Sequence, residues 1–212
     1  MNRPYPPKEL GQFESYPLNI MPALDMPLWV SETFINPTSK LYNNDHFHLE
    51  DALTGKLQFL WAATPYVKQT KQVIGQAEQL IFISGGWKKI RQEQQFYEWF
   101  GYELPDYVIT LDGNYCRECT DIEFCALVEH ELSHIGHSLD EFGQPKFSKT
   151  TGEPILCLKD HDVSEFIGII RRYGVPVGSA LEEMIKSANL KPEVSHINIS
   201  QACGTCLLKR VA

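Results

Sequence analysis

The stretch TDIEFCALVEHELSHIG, Thr120 to Gly136, constrains the fold more than any other segment. Thr120 with Glu123 three residues later is a pairing in which hydroxyl and carboxylate satisfy backbone N–H groups at a helix start. A helix should therefore begin at Asp121, with Gly136 as its stop. Ile122, Phe124, Cys125, Leu127, Val128 and Leu132 fall on more than one side of that helix, so it should be central and largely buried. The same helix carries His130, Glu131 and His134. Burying three such side chains is costly unless each finds a partner.

The bulk numbers set the frame. The chain has 212 residues, 43% of them hydrophobic, enough for one domain with a real core and a short appendage. Net charge is −8, which disfavours generic nucleic-acid binding, since phosphate contacts need Lys and Arg. Lys88, Lys89 and Arg91 cluster, as do Lys209 and Arg210, and both groups are expected as solvated faces. MNRPYPPKEL has no apolar h-region and no run is long enough to span a bilayer, so a cytoplasmic protein with no membrane partner is expected. Six cysteines in that setting should be reduced.

Along the chain, residues 1–27 are rich in proline and read as an irregular arm. A short apolar helix is expected around Trp29 to Phe34. LQFLWAA (57–63), VIGQAEQLIFIS (73–84) and DYVITL (106–111) read as strands, with Gly75 marking a bulge or a close backbone approach. Trp87 to Trp99 reads as a helix, and Trp61, Trp87 and Trp99 as core residues. KFSKTTGEPILCLK suggests a hairpin about Thr151-Gly152. HDVSEFIGIIRRYG and the segment from Ser179 read as helices.

His130, Glu131 and His134 spell H-E-x-x-H. Four helical residues advance about 6 Å and turn about 400°, so the two imidazoles emerge one turn apart on one face. They can converge on one ion, and zinc accepts imidazole nitrogen readily. Glu131 is too close along the helix to be a comfortable third ligand. It can instead reach a water at the metal, the general-base position of zinc peptidases.

A catalytic zinc needs a third protein ligand. His137 lies about 10 Å from His130 along a straight helix and would serve only if the helix broke at Gly136. The longer pattern H-E-x-x-H-x-x-G-x-x-H fails, because His137 stands at its glycine and Asp140 at its third histidine. His161 and Glu165 are better candidates, being four apart on an expected helix, with His161 favoured and Glu165 the alternative. The one that does not bind would orient a ligand from behind, and Asp162 would do so or cap its helix.

The combination of VIGQAE, DYVITLDGNYC, VEHELSH and KDHDVSEFIGIIRRYG resembles the putative phage metallopeptidase family of bacteriophages, prophages and bacteria, over roughly residues 45–175. The resemblance implies an α+β fold: a compact zincin-like domain with a small antiparallel or mixed sheet packed on the central H-E-x-x-H helix, then C-terminal helices and a tail. It implies zinc on His130 and His134, Glu131 as base, and an HD-x-x-EF segment at His161, Asp162, Glu165 and Phe166. On this reading the domain covers residues 28–190 and residues 191–212 form the tail.

Cys116-x-x-Cys119 and Cys203-x-x-Cys206 stand outside the resemblance. Two such pairs suggest a second, structural zinc held by four thiolates. With 83 residues between the pairs, it would staple the tail to the loop before the central helix. Cys125 and Cys157 read as small core residues, and His46, His48 and His196 as structural ones. Tyr173 is a candidate hydrogen-bond donor to a developing oxyanion.

The reading is a zinc-dependent metallopeptidase acting on protein or peptide, phage- or mobile-element-associated, with substrate backbone adding along DYVITL. Its rivals are a SprT-like DNA-associated protease, which would need a basic stripe, and a non-catalytic zinc-fold regulatory or counter-defence binding protein. Oligomeric state is not written in the sequence.

Overall fold

The structure is a computed structural model, and it describes residues 2–12, 19–68, 71–101, 103–160, 175 and 177–194. In chain order the elements begin with β1 (Ile20–Pro22), α1 (Met26–Val30), a π turn (Ser31–Ile35) and two 3-10 turns (Asn44–Leu49, Ala52–Thr54). They continue with β2 (Leu57–Ala62), β3 (Tyr66–Lys68), β4 (Lys71–Val73), β5 (Gly75–Gln79), α2 (Gly86–Phe100) and β6 (Tyr107–Asp112). Next come α3 (Gly113–Glu118), α4 (Asp121–Ser133), β7 (Ile135–His137), β8 (Leu156–Leu158) and α5 (Ala180–Ala188). The class is α+β, as expected.

The main sheet is mixed and runs β1-β2-β6-β5. β2 and β6 lie parallel at its centre, Leu57 opposite Tyr107 and Ala62 opposite Asp112. Parallel neighbours need a long crossover and are covered on both faces. This is why LQFLWA and YVITLD are almost continuously apolar. β1 and β5 flank them antiparallel, with Ala77 opposite Ile109. β3–β4 and β7–β8 are separate two-stranded pairs.

One face of the sheet holds the core. Leu57, Phe59, Trp61, Ile109 and Leu111 are fully buried there, and α4 brings Phe124, Leu127 and Val128 onto them. Phe124 is the hub. Its ring lies 6.3 Å from Trp61 and 5.2 Å from Trp29, and the Arg3 guanidinium stacks 4.9 Å from it.

Several expectations change. The long strand 73–84 shortens to Gly75–Gln79, and residues 80–85 carry no regular structure. Asp112 ends β6. Its carboxylate accepts from the N–H groups of Asn114 and Tyr115 and so caps α3. Trp87 is not core at all and is 89% exposed. The hairpin about Gly152 is present: Gly152 has φ of 75° and Phe147 bridges Pro154. The expected helix at 161–174 lies outside the described residues. Residues 3, 4, 6 and 10 of the arm are buried against the body.

Phe124→Ala should cost about 3–5 kcal/mol of unfolding free energy, the range for removing a buried aromatic ring. Urea denaturation of the two proteins measures it directly.

Candidate metal centre

α4 starts where the sequence predicts. The Glu123 N–H donates to Thr120 Oγ1 at 3.3 Å, and Thr120 N–H donates back to Glu123 Oε2 at 2.8 Å. Its end differs. The helix stops at Ser133, with His134 as C-cap at φ −76°, ψ −9°. Ser133 Oγ bonds back to the Glu129 carbonyl at 2.9 Å, an arrangement that loosens a helix end. Gly136 therefore does not terminate the helix. It lies in β7, opposite Cys157 of β8. The pairing of β7 with β8 competes for these residues and wins.

This early stop fixes the two histidines. The His130 and His134 rings are 5.1 Å apart between centroids, at 78° to each other. His134 is 2% exposed, and His130 is half-buried. His134 Nδ1 lies 2.9 Å from the Lys159 carbonyl oxygen. A carbonyl can only accept, so Nδ1 carries the proton and Nε2 is the unprotonated nitrogen of the neutral ring. This is the tautomer a metal ligand needs. The Lys159 N–H also donates to the His134 carbonyl at 2.7 Å, so one residue grips His134 from ring and backbone.

Glu131 has no exposed surface. A methyl group built on Gly75 would sit 2.7 Å from Glu131 Oε1 and 2.8 Å from Leu127 Cδ1. The glycine in VIGQAE thus marks a close approach rather than a bulge, and what it approaches is the candidate base. β5 lies on α4 only because position 75 lacks a side chain.

Two histidines read as bland turn residues buttress this region. His48 Nε2–H donates to the Ile135 carbonyl at 2.7 Å, and its ring stacks 4.9 Å from His137. Burial, above all, holds the His48 pKa below its ordinary value, and the nearby His137 adds to that. His46 is buried 3.6 Å from Glu129 Oε1, which also accepts from Asn43 Nδ2 at 2.7 Å. Burial pushes the Glu129 carboxyl up, but the neighbouring His46 and the hydrogen bond from Asn43 outweigh it and the net shift is downward. Nothing in the NNDHFH pattern signalled either contact. His137 departs with β7 and packs on His48 and on Phe147, at 5.8 Å.

His161, Asp162, Glu165, Phe166 and Tyr173 lie outside the described residues. Among the described residues no three His, Cys, Asp or Glu side chains group as a metal site. The donor set nevertheless fits zinc as far as it is described: two neighbouring imidazoles, one locked in the metal-binding tautomer, beside a buried carboxylate.

A family model described as putative phage metallopeptidase matches residues 28–189. The chain belongs to that family. No curated protein and no solved structure matches the chain. The matched span contains α4, β5 and the β7–β8 pair, so the geometry above is the family's region of this chain.

The cysteines Cys116 and Cys119 sit outside that cluster, at the end of α3. Cys116 is fully buried and Cys119 nearly so. Arg3 reaches them from the arm. It donates to Cys119 Sγ at 3.2 Å and to the Cys119 carbonyl at 2.6 Å, and pairs with Asp121 at 2.9 Å. The hydrogen bond from Cys116, then Arg3, draws the Cys119 thiol down to about 7 against its burial, while Cys116 is pushed up. Cys203 and Cys206 lie outside the described residues.

Gly75→Ala should displace the tip of Glu131, costing about 1–3 kcal/mol by overpacking while reducing any Glu131-dependent activity far more; melting and turnover measured together separate the effects. His48 has a folded pKa below its unfolded value of 6.5. Its neutral form therefore supports the fold above that pH, and the support is lost as pH falls through the lower folded value. His48→Gln should flatten that acid limb in stability measured from pH 7 to 5.

Proposed function

We propose that the protein is a zinc-dependent metallopeptidase built on a zincin-like domain. His130 and His134 would supply two ligands and His161 the third, with Glu165 as alternative. The observation that carries this reading is the fully buried Glu131, next to His130 on α4, a helix whose C-cap His134 has its ring held in the metal-binding tautomer by Lys159. Lys159 also bears on the third ligand. His161 follows it by two residues, and two residues of extended chain span at most about 7 Å. The covalent chain itself keeps His161 near the residue that grips His134.

Zinc held there would polarise a scissile carbonyl and lower the pKa of a water towards about 7. Glu131 would take the proton of the attacking water on a carboxylate oxygen and pass it to the leaving amine nitrogen. Its burial removes competing bulk water, and the Gly75 backbone limits where the carboxylate can move. Tyr173 would donate its phenol hydrogen to the developing oxyanion.

The substrate would be a protein or peptide, but it cannot add along DYVITL. β6 is hydrogen-bonded to β2 on one side and β5 on the other, so that expectation is withdrawn. We keep as proposals the arm at 1–27, the body at 28–190, a cytoplasmic and phage-associated setting, and a tail stapled by a second zinc on Cys116, Cys119, Cys203 and Cys206. Neither the DNA-associated nor the non-catalytic alternative gains an observation from the site.

Elemental analysis of purified protein tests the centre. Two zincs are expected in the wild type and one in His134→Ala. Glu131→Gln should keep its metal and lose peptide cleavage by about 10²–10⁴-fold. Zinc content unchanged by His134→Ala would overturn the reading.

A further inference from the structure

The segment from Ile81 to Arg91 presents apolar surface where none is expected. Ile83 is 95% exposed, Trp87 89%, Ile81 64% and Ile90 58%. These residues are not needed to hold α2 in place. The helix meets the body through its other half, where Trp99 and Phe100 line one cleft with Leu24, Leu28 and Leu53, and where Phe96 lies 5.8 Å from Phe82. Trp87, Ile90, Arg91 and Gln94 stand at i, i+3, i+4 and i+7, so they share the opposite, outward face.

The same eleven residues hold Lys88, Lys89 and Arg91 and no acidic residue, in a chain of net charge −8. All three cations are exposed, and Lys89 lies 3.5 Å from Glu93 in the next turn. A cationic and apolar patch on an otherwise acidic surface orients the protein towards an anionic partner and repels that partner elsewhere.

We propose that this patch docks the protein on the surface of an anionic lipid bilayer. The composition decides among anionic partners. Nucleic acid would stack bases on aromatic rings, and three of the four apolar residues here are isoleucines. Lysine is depleted from protein–protein interfaces, whereas tryptophan beside Lys and Arg suits the headgroup region, where the indole and the aliphatic residues enter and the cations meet lipid phosphate. The contact is peripheral, since no helix among the described residues is long and apolar enough to cross a membrane. This revises the expectation that the protein has no membrane partner, and it stands independently of the metal centre.

The test is co-sedimentation of the full chain with vesicles of phosphatidylglycerol and phosphatidylcholine, against phosphatidylcholine alone, at low and high salt. Binding to the anionic vesicles only, weakened by salt and with a blue-shifted tryptophan emission, is expected. Ile83→Ser with Trp87→Ser should abolish the shift. Lys88→Glu, Lys89→Glu and Arg91→Glu together should weaken binding by at least about tenfold. Because every altered side chain is exposed, unchanged melting curves should accompany both losses. No binding to anionic vesicles, or binding unaffected by either variant, overturns the proposal. So does single-stranded DNA binding that these variants abolish without any vesicle binding.

Discussion

The contact between Gly75 and Glu131 is the constraint around which the rest of the structure is arranged. A carboxylate with no exposed surface must be held by its surroundings, and it lies so close to β5 that a methyl group on Gly75 would come within 2.7 Å of it. The apolar residues of α4 supply the burial that makes this tolerable. Phe124, Leu127 and Val128 anchor the helix on Phe59, Trp61, Ile109 and Leu111, so its polar end is carried into the interior by its apolar length. Charged groups in such places are stable when paired or when a metal offsets their cost. The stability of the core is thereby coupled to the chemistry of the site.

Around that contact the supporting side chains act at both ends of α4. At the N-terminal end, Asp121 and Glu123 complement the positive end of the helix dipole, and Arg3 ties Asp121 to the arm and to Cys119. Towards the C-terminal end, Asn43 and His46 hold Glu129, and His48 holds the Ile135 carbonyl. These contacts come from a turn more than eighty residues upstream. They set the direction in which the helix delivers His130 and His134.

What could be read from the sequence follows from range. The capping pair Thr120–Glu123, the apolar strands LQFLWA and YVITLD and the H-E-x-x-H spacing are local patterns, and the structure places them within a residue of where they are expected, while the parallel pairing of those strands is long-range and was not expected. Gly75 was legible as a bulge or a close approach, but neither the choice nor the partner was, since nothing local says which side chain a glycine makes room for. Trp87 was misread because tryptophan is usually buried, and only the placement of Trp99 and Phe100 against Leu24, Leu28 and Leu53 shows which face of α2 is left outside. The grip of Lys159 on His134 runs through backbone carbonyl and N–H, which every residue possesses, so no side-chain pattern could reveal it. The ligand candidates after Asp160, and the second cysteine pair, lie outside the described residues.

The misplaced helix end proves more informative than the correct helix start. Had α4 continued to Gly136, His134 would lie inside the last helical turn and Ile135 to His137 could not pair as a strand. Stopping at Ser133 puts His134 at the C-cap, where the partial negative charge of the last carbonyls favours a cation nearby. It also frees Ile135, Gly136 and His137 to pair with Leu156, Cys157 and Leu158. That pairing returns the chain to His134 at Lys159, two residues before His161. Helix termination, strand pairing and the selection of one imidazole tautomer are therefore a single event in this fold.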